Sequence, residues 1–140
     1  MKRALLIGTV GCAAMAVAGA LAVPAASAAA ARTVTVDERM NHKTVTVHKG
    51  DRVQLVLHST YWSIDQAHRK ALRTASTQGM QQGTPGPGCR TGSGCGTVTR
   101  YFVAQATGNG WLSASRTTCG EALHCSPDQG SYHLTVRVAP

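Results

Sequence analysis

Cysteine is the residue type with the widest range of chemistry in this chain, and its spacing narrows that range. Four of the five cysteines form two pairs, each with five intervening residues: Cys89 and Cys95, then Cys119 and Cys125. A nucleophilic cysteine needs a histidine that meets it in space, so the adjacency of His124 and Cys125 does not indicate one. Structural zinc sites use ligand pairs about two to four residues apart, and a blue-copper site needs a downstream Met, which is missing after Cys125. The spacing predicts disulfides, with no catalytic residue, metal site or cofactor.

The N-terminal segment predicts that these cysteines oxidise outside the cytoplasm. Lys2 and Arg3 precede an apolar stretch over residues 4–23, and Ala26-Ser27-Ala28 is the small-residue pattern that signal peptidase accepts. Export places an even number of cysteines where thiols form disulfides. We therefore expect a secreted, extracellular protein.

Cleavage after that pattern divides the chain into a secretion signal, residues 1–28, and one exported domain, residues 29–140. Cys12 leaves with the signal. Two alternatives are a lipoprotein anchored through Cys12 and a permanent membrane span. Thr9-Val10-Gly11 lacks the Leu-led consensus of a lipid acceptor, and Pro24 before the small residues favours cleavage over spanning. No stable membrane span is expected in the mature form.

Four cysteines allow three disulfide connectivities. Local pairs, Cys89 to Cys95 and Cys119 to Cys125, are favoured because short closed loops form most easily. The crossed pairings, which would join the two cysteine segments to each other, remain open.

The charge balance bears on the partner. Fourteen Lys and Arg against six Asp and Glu give a net charge of +8, but the basic residues are scattered along the chain. No run of them is typical of nucleic-acid binding, so no nucleic-acid partner is expected. The same charge would produce a secondary attraction to anionic cell-wall polymer.

Alternation of apolar and polar residues predicts strands at both ends of the exported domain. Residues 33–36, 44–48 and 52–58 alternate in the first third, which we interpret as a meander with a turn at Gly50-Asp51. Residues 131–138 form the clearest strand. The pattern predicts these inward-facing residues: Val45, Val47, Val53, Leu55, Leu57, Tyr132, Leu134, Val136 and Val138. It predicts these outward-facing ones: His48, Gln54, His133 and Arg137.

The middle of the domain adds weaker strand signals. Segments 61–64, 71–74, 97–106 and 111–115 are candidates, with a turn at residues 107–110 before the last of them. Seven or eight short strands separated by turns are typical of an all-β antiparallel sandwich. Residues 76–96 and 117–130 lack the strand pattern, contain the cysteines and are interpreted as long loops. Long loops on a rigid sandwich are where binding usually occurs.

Three segments resemble a known family. Residues 43–57 resemble the K-x-V-x-V-x-x-G-D-x-V-x-L-x-L opening of chagasin-type inhibitors of papain-like cysteine proteases. Residues 108–116 resemble that family's G-x-x-x-L-x-x-x-R segment, and residues 132–138 resemble its closing strand. The resemblance covers most of the exported domain and implies an immunoglobulin-like β-sandwich.

The resemblance also implies that three loops enter a protease cleft, and here the motifs depart from the family. The first loop, residues 58–62, lacks the family's N-P-x-T-G motif; the second is glycine-rich as in the family; in the third, Arg116 matches the R of R-P-W/F but Thr117 and Thr118 follow it. The partner-binding candidates are Ser59, Thr60, Tyr61, Trp62, Gly86, Gly88, Gly92, Gly94 and Arg116.

These observations predict a non-enzymatic protein with a protein partner, namely an inhibitor that occludes the cleft of a papain-like cysteine protease. The alternative is an envelope-associated or extracellular adhesion module on the same scaffold. Trp62 and Trp111 are ambiguous between core residues and partner anchors. If Trp62 is an anchor, its replacement by Ala should weaken binding and leave thermal stability nearly unchanged.

Overall fold

The structure, a computed structural model, describes residues 30–65, 70–75, 81–82, 87–90 and 92–140. The predicted secretion signal and Gly86 lie outside these residues. Within the described ranges, no helix has the length and apolar character needed to cross a membrane.

Eleven strands lie in the described residues, most of them at positions that alternation predicts. In chain order they are β1 (Thr33–Val36), β2 (Thr44–His48), β3 (Arg52–His58), β4 (Ser63–Ile64), β5 (Leu72–Thr74), β6 (Gln81–Gln82), β7 (Thr97–Ala104), β8 (Gly108–Ser115), β9 (Thr118–Gly120), β10 (Leu123–His124) and β11 (Ser131–Ala139). A 3₁₀ helix covers Glu38–Met40, and α1 is the single turn Pro127–Gly130.

Two sheets pack face to face, which confirms the all-β sandwich. One sheet has the order β1-β3-β7-β5, with β6 also pairing with β7, and the other has the order β2-β11-β8-β4. β9 and β10 form a separate two-stranded ribbon inside the predicted loop 117–130. The closing strand β11 is therefore an interior strand, hydrogen-bonded on both sides.

The predicted meander in the first third is wrong. β1 pairs with β3 in parallel, and β2 pairs with β11 in parallel in the opposite sheet, so the sheets are mixed rather than purely antiparallel. Alternation reports which face of a strand is buried but not which strand lies beside it, so consecutive strands can enter different sheets. The predicted turn at 107–110 is also too long, because β8 already begins at Gly108.

The predicted faces agree with the observed burial. Val47, Val53, Leu55, Leu57, Tyr132, Leu134, Val136 and Val138 are buried between the sheets, and His48, His133 and Arg137 are exposed. Val45 and Gln54 are intermediate. Phe102 and Leu112 fill the centre, with at most 1% of their surface exposed.

The predicted turn between β2 and β3 is organised by a buried carboxylate. Gly50 has a φ of 97°, which glycine adopts without strain. Asp51 is 6% exposed and accepts hydrogen bonds from the backbone N–H of His48 at 2.8 Å and of Arg32 at 3.0 Å. These bonds hold the pKa of the Asp51 carboxyl below its ordinary value and tie the start of β1 to the turn.

Replacing Asp51 by Asn should lower the free energy of unfolding by about 1.5 to 3 kcal/mol, because an amide N–H₂ cannot accept the second backbone bond. A carboxyl with a lowered pKa stabilises the fold above its unfolded-state value, 3.8, and loses that contribution as pH falls through the folded-state value. The difference between the two proteins should therefore be largest near neutral pH and shrink in acid. Urea unfolding at several pH values measures this, and a difference that grows in acid would contradict it. Glu121→Gln, an exposed change, should alter stability by less than about 0.5 kcal/mol.

Candidate functional site

The first predicted loop connects β3 to β4 and is hydrogen-bonded to the second. The backbone N–H of Ser59 donates to the carbonyl of Gly96 at 2.8 Å, and that of Thr60 donates to the carbonyl of Gly94 at 2.9 Å. Ser59 has a φ of 134°, and its hydroxyl accepts from the N–H of Tyr61 at 3.2 Å. The first two loops thus form one connected unit.

Tyr61 explains why the second loop needs glycine at one position. Its hydroxyl donates to the carbonyl of Gly92, and its ring lies against Gly94, which is buried and has a φ of 72°. A Cβ at residue 94 would overlap the Tyr61 ring, so only glycine fits both the space and the backbone conformation. Gly88 and Gly92 are exposed and have φ values of 90° and 84°.

Trp62 and Arg116 form the junction of the first and third loops. Trp62 is only 6% exposed, and Cζ of Arg116 lies 4.5 Å from the centroid of the Trp62 ring, a cation–π contact. Arg116 Nε donates to the carbonyl of Gln129 at 3.0 Å, and its backbone N–H donates to the carbonyl of Gly130 at 2.9 Å. Trp62 is therefore a core residue whose ring face supports Arg116.

Both disulfides have the local connectivity. Cys89 pairs with Cys95, and Cys119 pairs with Cys125, with Cα atoms 5.6 Å and 5.0 Å apart. Each bridge closes a short loop, and the backbone N–H of Cys125 also donates to the carbonyl of Thr117 at 2.9 Å. The crossed pairings are excluded, and all four thiols are used.

The three loops share a shallow depression of about 310 Å³ at one end of the sandwich, which we call the apical depression. It is lined by His58, Ser59, Tyr61, Ser93, Gly94, Cys95, Gly96, Arg116 and Cys119. Ser59, Tyr61, Gly94 and Arg116 were predicted from the sequence, and each of the three loops contributes. The predicted residues Thr60, Trp62, Gly88 and Gly92 do not line it, and Gly86 lies outside the described residues.

The sequence does not predict three residues that contact and support the lining of the apical depression, namely Glu38, Gln129 and Gly130. Glu38 accepts from the backbone N–H of His58, and its second oxygen lies 2.9 Å from Nδ1 of His58. Gln129 supports Arg116 through its backbone carbonyl, which no side-chain motif reveals. A Cβ on Gly130 would lie 2.7 Å from the carbonyl oxygen of Arg116, so that glycine permits the close approach.

The arrangement suits binding by shape. Among the described residues, no group of three or more His, Cys, Asp or Glu side chains could hold a metal ion. The lining includes two glycines, the Tyr61 side chain and the Arg116 side chain, and two disulfides cross-link its support. Such a surface can fill a cleft in a protein partner.

Comparison with known proteins supports the fold. No family model and no curated protein matches the sequence. The crystal structure of the cysteine protease inhibitor EhICP2 from Entamoeba histolytica superposes with a TM-score of 0.54 at 9% identity, over 79% of this chain and 98% of that one. The solution structure of amebosin gives a TM-score of 0.47 at 18% identity, over 78% and 98% of the two chains. The fold is of the chagasin type, as the sequence resemblance implies.

Proposed function

We propose that this protein, which has the fold of a cysteine protease inhibitor, is a secreted and non-enzymatic inhibitor of papain-like cysteine proteases. The observation that carries the proposal is the apical depression, where the loops 58–62, 92–96 and 116–119 form one surface. The fold shared with EhICP2 supports the same interpretation.

Inhibition would proceed by occlusion of the active-site cleft. The loops 58–62 and 92–96 are fixed to each other by backbone hydrogen bonds, and disulfides close the second and third loops. A surface that is rigid before it binds loses little conformational entropy on association, which favours affinity. Glycine backbone allows close approach to the cleft, while Tyr61 and Arg116 supply the side-chain contacts.

Stoichiometric titration of papain with the purified protein tests the proposal. We expect protease activity to fall to a plateau at a fixed molar ratio and the inhibitor to remain uncleaved. Arg116→Ala should weaken inhibition by at least about 2 kcal/mol, roughly 30-fold, because arginine at the centre of an interface is a frequent hot spot. Arg52→Ala removes an exposed arginine at the start of β3, the end of that strand away from His58, and should leave the inhibition constant unchanged.

Two results would count against this function. Full papain activity at a large molar excess, repeated with related proteases, would exclude inhibition as the main role. Equal effects of Arg116→Ala and Arg52→Ala would show that the apical depression is not the contact surface. The adhesion module would then be the better hypothesis.

Export of the protein is part of the proposal. It is supported by the apolar N-terminal segment with its Ala26-Ser27-Ala28 pattern and by the two disulfides. Intact-mass measurement on protein collected from the medium should give an N-terminus near Ala29 and no alkylatable thiol without reductant. A retained segment 1–28, or a lipid on Cys12, would contradict it.

A further inference from the structure

A second surface lies on the outer side of the sheet β2-β11-β8, away from the apical depression. The register places Thr44, Thr135 and Trp111 in one row across the three strands, and Thr46, Arg137 and Asn109 in the next. These side chains alternate with the buried residues of the same strands and therefore point away from the core. We call this surface the Trp111 face.

Trp111 is not part of the core, which is one of the two positions that the sequence left open for it. It is half-buried, and its ring centroid lies 6.4 Å from that of His133, with the planes inclined at 32°. The other outward positions on the three strands are Ser, Thr, Asn, His, Arg and a terminal Ala. A single large aromatic ring surrounded by hydrogen-bonding side chains matches a ligand that combines an apolar ring face with polar edges.

The charged side chains of the Trp111 face indicate whether such a ligand is anionic or cationic. β2, β8 and β11 contain no Asp or Glu, whereas Arg137, His48 and His133 are exposed on them. Asp65, which directly follows β4, lies at the edge of the face: its backbone N–H donates to the carbonyl of Ser113 at 3.0 Å, and its carboxylate accepts from the Ser113 hydroxyl at 2.7 Å, so this negative charge is already hydrogen-bonded. A guanidinium binds a carboxylate through two parallel hydrogen bonds, so Arg137 favours an anionic ligand.

A groove of about 620 Å³ continues the face at one end. Thr46, Asn109 and Arg137 line it together with Gly108, Val138, Ala139 and Pro140, so the cation and two hydrogen-bonding side chains of one row open into a recess. A groove one row away from the half-buried Trp111 side chain offers an extended polymer more than one contact. The face has too few apolar residues for the centre of a protein interface and too few cations for nucleic acid.

We propose that the Trp111 face binds an acidic polysaccharide, with a sugar ring on the Trp111 indole and a uronate carboxylate on Arg137. None of the residues that line the apical depression lies on this face. One molecule can therefore hold a polysaccharide and a protein partner at the same time, which would retain the protein near an extracellular matrix or wall.

Binding of the purified protein to immobilised polygalacturonate tests the inference. We expect binding that weakens with added salt, as exposed charge contacts do. Trp111→Ala and Arg137→Gln should each reduce affinity about tenfold or more, whereas Arg73→Gln, an exposed change on β5 in the opposite sheet, should not.

Dextran has sugar rings without carboxylates, and poly-L-glutamate has carboxylates without rings. Both should bind at least about tenfold more weakly than polygalacturonate.

The inference is overturned if polygalacturonate does not bind, or if poly-L-glutamate binds as tightly, because net charge alone would then explain the attraction. It is also overturned if Trp111→Ala and Arg137→Gln, both confirmed as folded by circular dichroism, bind like the unmodified protein. Amide chemical-shift changes on titration with oligogalacturonate should map to β2, β8 and β11. Papain inhibition is measured separately, so the failure of either proposal leaves the other standing.

Discussion

Replacing Leu134 by Ala is expected to lower the free energy of unfolding by about 2 to 5 kcal/mol. Leu134 is fully buried, and it lies directly opposite Leu112 at the centre of the sheet β2-β11-β8-β4. Its removal leaves a cavity that neighbouring strands cannot close, because β11 is hydrogen-bonded to β2 on one side and β8 on the other. Equilibrium unfolding in guanidinium chloride measures the loss.

The matched control is Leu123→Ala, the same chemical change at a leucine that is 62% exposed. It should change stability by no more than about 0.5 kcal/mol. Comparable losses from both substitutions would mean that the face of β11 is assigned wrongly. A one-residue shift in register would exchange Leu134 with His133 and reverse the result.

The burial pattern of this fold is readable from sequence because it depends on neighbours within one strand. Leu134 and His133 are assigned to opposite faces by alternation alone, and the structure confirms both. Strand pairing is different, since it depends on residues far apart in the chain. Nothing in Val34 or Val45 reveals that β1 joins β3 while β2 joins β11.

Some residues of the candidate site can likewise be predicted from the sequence and others cannot. Tyr61 and Arg116 are predicted from the sequence because such side chains carry most of the energy in protein interfaces, and Arg116 also matches the arginine of the family's third loop. The carbonyl of Gln129, which accepts from Arg116, and the carboxylate of Glu38, which lies beside His58, were not predicted. Backbone acceptors have no residue signature, and Glu38 reaches His58 across 20 positions of the chain.

Replacing Trp62 by Ala is expected to cost about 3 to 5 kcal/mol of folding free energy, the range for large buried aromatic residues. This corrects the expectation that the substitution would leave thermal stability nearly unchanged, since Trp62 is 6% exposed and belongs to the core. The substitution also removes the ring face under the Arg116 guanidinium. Thermal and denaturant unfolding should therefore shift strongly, and papain inhibition should weaken even at temperatures where the variant is folded.

Trp62→Phe separates the two effects. Among the described residues the Trp62 Nε1–H has no hydrogen-bond partner, so its loss removes no bond, and the smaller ring should cost roughly 1 to 2 kcal/mol. Phenylalanine retains an aromatic face for Arg116, so inhibition should recover most of what Trp62→Ala loses. If Trp62→Ala proves as stable as the unmodified protein, the indole is not part of the core. If Trp62→Phe and Trp62→Ala weaken inhibition equally while both are folded, support of Arg116 by an aromatic ring is not what the apical depression requires.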